Sequence, residues 1–415
     1  MQHRPARRAA VLALASSLLL AACAGPSLSV GSPGGGPSGE ASPSTSAPAP
    51  VTPRLSVART ASWKKPLRVA VTAGALTNVV VTEHDGATVL AGQVNPAGTA
   101  WLSDTHPQPG TRYDLSADVV VAGRPTHLTG SVTVAEQPDS ARMLYGVLPG
   151  PGAVVGVNAP IVIRFHHEVQ DRKTVEEHLL VATEKPLIGS WHWINSSEVH
   201  FRPQTAWPAH SKVRVTVALD GVKVSSTRWG TRDAVIDFQI GAAQTVVVDD
   251  KTKTFTLSVD GKKKYVWPTS LGRPEYVTRT GNYIVLEHNK VREMTSCSAG
   301  ITCDKKSPDY YDLQVQFATR LSWSGTFIHA APWSVAKQGL VDSSHGCIHL
   351  TTDRAQIYFD LSQYGDLVVV KNTGRPIDDL VQHGDPGADD WNSSWSSYVA
   401  GSALGSSVTT EQLES

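Results

Sequence analysis

Short runs of alternating apolar and polar residues, separated by glycine and proline turns, recur between residues 54 and 242 and constrain the fold most strongly. Ile161 to Phe165 is one such run, and Asp85-Gly86 is one of the turn signals. Short strands at regular spacing with turns between them are typical of β-sandwiches. The pattern predicts a mainly β chain that begins with two immunoglobulin-like sandwiches, at residues 54–142 and 143–242.

The pattern changes after residue 242. Strand-like runs continue, and Asp260-Gly261 is a tight hairpin signal. Thr352 to Gln363 combines an N-terminal cap signal with helically spaced apolar residues. Residues 243–372 are therefore predicted to form a third, β-rich domain with one or two short helices.

The C-terminal tail, residues 373–415, is polar but contains Trp391, Trp395 and Tyr398. Aromatic side chains in a polar tail indicate docking onto a folded surface. We therefore expect the first part of the tail to dock. The last dozen residues are rich in glycine, serine and threonine, and we expect them to be frayed.

The N-terminus, residues 1–23, has the pattern of an export signal. A basic start precedes an apolar run that is too short for an ordinary membrane-spanning helix. The run ends in Leu20-Ala21-Ala22-Cys23, which resembles a bacterial lipobox, in which the cysteine becomes lipidated. This predicts an exported protein, anchored by lipid to the outer face of the cytoplasmic membrane. A plain secretory signal is the alternative.

A segment rich in glycine, proline, serine and alanine, residues 24–53, follows the signal. Such a segment cannot bury a core, so we expect a flexible linker. The formal net charge of the whole chain is zero. This balance gives no support for a basic surface that binds nucleic acid, and no nucleic-acid partner is expected.

The chain has only four cysteines: Cys23, Cys297, Cys303 and Cys347. Thiols in an oxidising compartment tend to pair. Because Cys297 and Cys303 are close in sequence, we predict a disulfide between them, with a reduced pair as the alternative. Cys347 then remains unpaired, as a nucleophile must be.

The stretch FIHAAPWSVAKQGLVDSSHGCIHL, from Phe327 to Leu350, contains the candidate chemistry. A histidine base, His329, can take the proton of a cysteine nucleophile, Cys347, for acyl transfer through a thioester. Gly346 permits the backbone angles of a sharp turn. The amides of Gly346 and Cys347 are the predicted oxyanion donors, with His345 orienting the turn.

A metal site is the competing interpretation of the same stretch. His345, Cys347 and His349 alternate, and His329 is a possible fourth ligand. Gly346 interrupts a regular strand, however, and the spacing does not match a recognised structural zinc pattern. We therefore expect neither a metal nor an organic cofactor.

The stretch HAAPWSVAKQGLVDSSHGCIHL resembles the signature of the L,D-transpeptidases of bacterial cell-wall synthesis, which have a YkuD-type catalytic domain. The order of lipobox, linker, two Ig-like domains, catalytic domain and a tail with GDPGADDWNSSW resembles the actinobacterial members. The resemblance implies a cysteine-dependent acyltransferase that forms 3→3 cross-links between peptidoglycan stems and releases D-Ala from a tetrapeptide. It also implies covalent inhibition by β-lactams, especially carbapenems.

Site roles follow from the resemblance. Cys347 matches the nucleophile, His329 the general base and acid, and the backbone carbonyl of Ala330 the group that steadies the base. His349 stands where family members usually have asparagine, which leaves its contacts open. The candidate substrate-binding residues are Tyr311, Ser324, Gly325, Trp333, Ser344 and His349.

A long polar segment from Met294 to Tyr311 is the predicted lid, stiffened by the disulfide between Cys297 and Cys303. Partial exclusion of water would favour transfer to an amine over hydrolysis. Three alternatives remain: an L,D-carboxypeptidase with water as acceptor, a non-catalytic cell-wall scaffold, and an NlpC/P60-like peptidase. In the last class the cysteine precedes the histidine, which is the opposite of the order here.

Overall fold

The structure is a computed structural model that describes residues 51–86, 88–378, 380 and 384–413. The predicted export signal, its Cys23 and residues 24–50 of the predicted linker lie outside the described residues. Strands dominate the described part, and its α-helices are short. No helix in that part combines the length and apolar character needed to cross a bilayer.

The first sandwich begins near residue 54 and consists of the following strands: β1 (Leu55–Ser56), β2 (Thr60–Ala61), β3 (Arg68–Val71), β4 (Ala75–Glu83), β5 (Gly92–Val94), β6 (Ala100–Ser103), β7 (Arg112–Val121) and β8 (Arg124–Val134). They form two four-stranded sheets, with the orders β1-β3-β6-β5 and β2-β8-β7-β4. Alternate residues of β7, from Tyr113 to Val119, are buried between the sheets. This period of two produces the alternation seen in the sequence.

The second sandwich comprises one helix, α1 (Arg172–Glu177), and these strands: β9 (Arg142–Met143), β10 (Tyr145–Leu148), β11 (Val154–Val155), β12 (Ile161–Phe165), β13 (Leu179–Thr183), β14 (Ile188–Trp193), β15 (Glu198–Pro203), β16 (Lys212–Ala218), β17 (Trp229–Gly230) and β18 (Asp233–Ile240). Its two main sheets contain the strand orders β10-β12-β15-β14 and β11-β18-β16-β13. Trp191, Phe201 and Trp207 fill the core between the two sheets.

The third domain comprises the helix α2 (Thr352–Leu361) and these strands: β19 (Gln244–Asp249), β20 (Thr254–Val259), β21 (Lys262–Pro268), β22 (Gly281–Ile284), β23 (Glu287–Thr295), β24 (Asp312–Arg320), β25 (Phe327–Ala330), β26 (Ile348–Leu350) and β27 (Leu367–Lys371). One sheet has the order β21-β20-β19-β27-β22, and the other β23-β24-β25-β26. Tyr358 of α2 packs edge-on against Phe255 of the first sheet, with 5.2 Å between ring centroids. The helix predicted from residue 352 is therefore present and forms part of the core.

The parallel pairing of β25 with β26 sets the geometry of the candidate site. His329 lies directly opposite His349 in this register. Cys347, two residues before His349, therefore falls diagonally from His329. Cys347 packs against the cluster that contains Phe327, and Phe327 and His329, two residues apart on β25, share a face. The candidate base and the candidate nucleophile therefore lie toward one side of the sheet.

The predicted lid is only partly irregular. Met294 and Thr295 belong to β23, which pairs with β24 in a long antiparallel hairpin. The irregular part, residues 296–311, connects these two strands and is called the lid loop below. The sequence did not indicate the strand because β23 is rich in charged residues that face solvent.

The C-terminal tail folds back onto the second sandwich as α3 (Trp395–Ala400), β28 (Val408–Thr409) and β29 (Glu411–Gln412). The guanidinium of Arg202 lies 4.6 Å from the ring of Trp391 and 4.3 Å from that of Tyr398. β28 pairs with β14, and β29 pairs with β13. The expectation of a frayed end is wrong for residues 408–412, because these backbone bonds cover the open edges of both sheets.

Candidate active site

His329 is the third of the four residues of strand β25, and its side chain is buried at 3% exposure. Its Nδ1–H donates to the carbonyl of Ala330 at 2.8 Å. Burial lowers the pKa of His329 to about 4, although the bond to Ala330 opposes this shift. The imidazole is therefore neutral at physiological pH, and with Nδ1 carrying the proton, Nε2 presents a lone pair that can accept another.

Cys347 follows Gly346, whose φ of +116° lies in a region that favours glycine. It is the free cysteine of the described residues. Its thiol donates weakly to the carbonyl of Gly325 at 3.8 Å. Burial raises the pKa of Cys347 to about 11, although the Phe327 amide and the charge of Arg320 oppose this. The resting pair is thus a thiol and a neutral imidazole.

Ser344 holds the nucleophile turn together from within. Its hydroxyl donates to the carbonyl of Cys347 at 2.6 Å and accepts from the amide of Gly346 at 3.0 Å. The Gly346 amide is thus bonded within the turn, and its predicted oxyanion role stays a prediction. Ser344 is 2% exposed, and its contact with substrate stays a prediction.

His345 forms part of an aromatic wall beside the turn. Its ring centroid lies 4.8 Å from that of Tyr276 and 4.9 Å from that of Tyr311. Burial lowers the pKa of His345, and the charge of Arg273 lowers it further. Its Nε2 lies 3.8 Å from Oδ1 of Asp309. His345 thus packs the turn against the lid loop, consistent with a part in orienting that turn.

Tyr311 brings the lid loop to the nucleophile turn. Burial raises the pKa of Tyr311 to about 12, and the negative charge of the Cys347 thiolate would raise it as well. Asp309, two residues earlier, accepts a hydrogen bond from the Tyr276 hydroxyl at 3.0 Å and pairs with Arg273. Arg273 in turn donates its amide to the carbonyl of Ser344 at 3.0 Å. The lid loop is therefore fastened beside Cys347.

Ser324 and Gly325, both exposed, form the edge that precedes strand β25. The buried carboxylate of Asp385 accepts hydrogen bonds from the amides of Trp323 and Ser324, the latter at 2.9 Å. Sequence reasoning missed Asp385, because it belongs to the tail, 60 residues along the chain from this edge. The only local signal was its place in the polar GDPG segment.

His349 lies behind His329 rather than at the site entrance. The two ring centroids are 4.8 Å apart, and His349 is 5% exposed. Its Nδ1 is 3.0 Å from the hydroxyl of Ser334, a partner that the sequence did not indicate. Its contact with substrate stays a prediction, and the contacts in the structure are with His329 and Ser334. Trp333, by contrast, is 52% exposed on the same side and stays available to a ligand.

The competing metal interpretation finds no support in the geometry. Within the described ranges, no group of three or more His, Cys, Asp or Glu residues is arranged to hold a metal ion. Nδ1 of His329 is bonded to a carbonyl, and Nδ1 of His349 faces a hydroxyl. The arrangement fits a neutral base beside a thiol, and this pair can transfer an acyl group.

The lid-loop cysteines, Cys297 and Cys303, are joined by a disulfide in the structure. Both are exposed at the outer end of the loop. Their bond leaves Cys347 as the thiol of the described region that can react.

Two protein-family models match segments of this chain. A family model described as a bacterial Ig domain matches residues 58–223. Another, described as the L,D-transpeptidase catalytic domain, matches residues 243–370. The second match contains both His329 and Cys347.

Individual relatives extend the similarity over most of the chain. L,D-transpeptidase 2 of Mycobacterium tuberculosis is 33% identical over 339 residues, which are 81% of this chain and 81% of the relative. A solved L,D-transpeptidase in complex with imipenem is 34% identical and covers 56% of this chain and 100% of its own, with a TM-score of 0.48. L,D-transpeptidase 3 of M. tuberculosis with a faropenem-derived adduct is 34% identical and covers 55% and 97%, with a TM-score of 0.47. The 33% identity to L,D-transpeptidase 2, over 81% of each chain, shows that this chain belongs to the L,D-transpeptidase family.

Proposed function

We propose that this protein forms 3→3 cross-links in peptidoglycan through a thioester on Cys347. The observation that carries the proposal is the 2.8 Å contact between Nδ1 of His329 and the carbonyl of Ala330. His329 is neutral, its Nδ1–H is bonded to Ala330, and Nε2 remains to take a proton. Cys347 provides the unpaired thiol on the same face of the sheet.

The first half-reaction is acylation of the thiol. Sulfur attacks the carbonyl of the third residue, a diaminopimelate, in a tetrapeptide stem, while Nε2 of His329 takes the thiol proton. The imidazolium then protonates the leaving amine, D-Ala departs, and a thioester remains. The amide of Cys347 is the donor that we assign to the developing oxyanion.

The second half-reaction transfers the acyl group to an amine. The side-chain amine of a second stem attacks the thioester carbonyl, and His329 accepts the proton that the amine loses. Collapse of the intermediate breaks the carbon–sulfur bond, and the thiolate recovers its proton from His329. The balance requires no metal, oxidant or organic cofactor.

β-Lactams are the inhibitors that we expect at the same thiol. Their strained ring presents an acyl carbon to the nucleophile, as the stem peptide does. Relatives have been solved with imipenem and with a faropenem-derived adduct. We propose that carbapenems acylate Cys347 and leave the ring-opened drug attached.

The place of action is a separate proposal that rests on the N-terminus. The basic and apolar pattern of residues 1–23 supports export, and the sequence around Cys23 supports lipidation. We infer that a lipid on Cys23 holds the protein at the outer face of the cytoplasmic membrane. Mass spectrometry of the N-terminal peptide from native membranes tests this: a diacylglyceryl group on Cys23 is expected, and an unmodified or absent Cys23 would contradict it.

Incubation of the purified protein with disaccharide-tetrapeptide, followed by mass spectrometry, tests the reaction itself. A cross-linked dimer that has lost one D-Ala is the expected product. Tripeptide without dimer would instead assign an L,D-carboxypeptidase that uses water as acceptor. Binding to peptidoglycan without any product would point to a non-catalytic scaffold.

A further inference from the structure

A single buried serine, Ser296, holds both ends of the lid loop. Its amide donates to the carbonyl of Tyr311 at 2.9 Å, and its hydroxyl accepts from the Tyr311 amide at 3.2 Å. The same hydroxyl donates to the carbonyl of Thr302 at 2.8 Å, and the Ser296 carbonyl accepts from Ile301 at 2.9 Å. Ser296 is 0% exposed, so these bonds are shielded from competing water.

The disulfide closes the small loop that Ser296 supports. Cys297 directly follows Ser296, and Cys303 directly follows Thr302. The bond between them therefore keeps Thr302 within reach of the Ser296 hydroxyl. Closing a loop in this way reduces the conformations available to it. Ordering of this loop and ordering of Tyr311 are thus linked through one residue.

Tyr311 is the end of this chain of contacts that faces the nucleophile. Its ring packs on His345, two residues from Cys347. Met294, at the end of the adjoining strand, packs with Cys347 against the cluster of Val315, Ala318 and Phe327. Movement of the lid loop would therefore change the packing around His345, which lies in the nucleophile turn.

We propose that the Cys297–Cys303 disulfide is a positioning element that, through Ser296, holds Tyr311 against His345 beside the nucleophile turn and so limits the access of water to the thioester. The inference rests on the proposed function, because it concerns the fate of the acyl-enzyme. Chemistry at Cys347 remains intact without the disulfide. The disulfide instead sets the fraction of the thioester that reacts with an amine rather than with water.

The ratio of amine transfer to hydrolysis then depends on whether the Cys297–Cys303 disulfide is reduced. Two equivalents of thiol, or one of dithiothreitol, convert the disulfide to two cysteine thiols, and the reagent leaves as its own disulfide. Because Cys297 and Cys303 are both exposed, the reagent can reach them. A reduced lid loop would then release tripeptide at the expense of cross-linked dimer.

The test compares product ratios in four proteins of the same length. These are the wild type, the double variant Cys297→Ser/Cys303→Ser, Ser296→Ala and the control Ser298→Ala. The Ser298 hydroxyl bonds to Thr295 and lies on the exposed side of the loop. Each protein receives disaccharide-tetrapeptide, and the ratio of tripeptide to dimer is read by mass spectrometry, alongside the rate of acylation by imipenem.

The expected result is a rise in the tripeptide-to-dimer ratio of about threefold or more in the double variant and in Ser296→Ala, with the Ser298→Ala ratio unchanged. The rate of acylation by imipenem should change by less than about threefold. Such a small change would show that the active site is intact and that the change in product ratio arises after acylation. Wild type reduced with dithiothreitol should behave like the double variant.

Equal ratios in all four proteins would overturn the inference while leaving the cross-linking proposal intact. Absence of any product from wild type would instead refute the proposed function.

Discussion

The carboxylate of Asp385 accepts a hydrogen bond from the backbone amide of Ser324 at 2.9 Å, which ties the C-terminal tail to the edge of the active site. The same carboxylate accepts a bond from Trp323. The edge ends at Gly325, whose carbonyl accepts a weak hydrogen bond from the thiol of Cys347. The tail is thus connected to the nucleophile through a short stretch of backbone, although it is distant in sequence.

Replacing Asp385 with alanine should slow acylation without removing the thiol. The change deletes two charge-assisted bonds and leaves two backbone amides of the edge without their acceptor. Bonds to charged groups contribute about 1.5–3 kcal/mol each, so a tenfold or greater fall in the rate of imipenem acylation is expected. Asp389→Ala is the control, because the structure uses the backbone carbonyl of Asp389, which alanine retains. Equal rates for the two variants would refute the role of Asp385.

Ser344→Ala should destabilise the nucleophile turn. The hydroxyl is buried and bonds both to the Cys347 carbonyl and to the Gly346 amide. Leaving buried partners unsatisfied costs about 1–3 kcal/mol, which urea denaturation can measure. Ser343→Ala, which removes a hydroxyl bonded to that of Ser270 outside the turn, is the matched control. A Ser344→Ala protein as stable as this control would contradict the bracing role.

The rate of acylation should be nearly independent of pH between about 5 and 9. Burial lowers the pKa of His329 to about 4 and raises that of Cys347 to about 11. The base is lost only as pH falls through about 4, and the thiol ionises by itself only near 11. Imipenem acylation at constant ionic strength, with circular dichroism at each pH to confirm folding, measures this. A limb with its midpoint near 6.5, the ordinary value for histidine, would contradict it.

Stability should fall as pH rises from about 6.5 to about 9, because of a buried histidine beneath the tail. Nδ1 of His200 is 2.7 Å from Asp390, and Nε2 is 2.8 Å from Glu198. Burial alone would lower the pKa of His200, but the two carboxylates raise it to about 9. The folded state therefore binds an extra proton in this window, and its contribution is complete below the unfolded value near 6.5 and lost through about 9.

Thermal unfolding between pH 6 and 10 measures this dependence. The rise in the pKa of His200 from its ordinary value near 6.5 to about 9 corresponds to roughly 3 kcal/mol, and His200→Gln should remove most of the slope. An unchanged slope in that variant would assign the dependence to other groups.

Local patterns and one contiguous motif were enough to predict individual strands, a helix and the candidate catalytic pair. The alternation in β7, the helix from residue 352 and the pair His329 and Cys347 all lie in such segments. Contacts between distant segments were invisible, since nothing near Asp385 or Thr410 shows which backbone they meet.

The orientation of backbone donors was equally hidden. Whether the Gly346 amide faces a ligand or the Ser344 hydroxyl depends on the turn, and both residues suit either arrangement. The charged strand β23 illustrates the same limit, because its pairing with β24 is made by backbone groups rather than by an apolar face.

Trapping the acyl-enzyme shows whether Cys347 carries the acyl group. The protein is mixed with disaccharide-tetrapeptide, quenched in acid within seconds and digested for peptide mapping, with Cys347→Ala in parallel. We expect a donor acyl group without D-Ala on the peptide that contains Cys347, and neither adduct nor cross-linked dimer from the variant. An adduct on another residue, or dimer made by Cys347→Ala, would refute the assignment of Cys347 as the nucleophile.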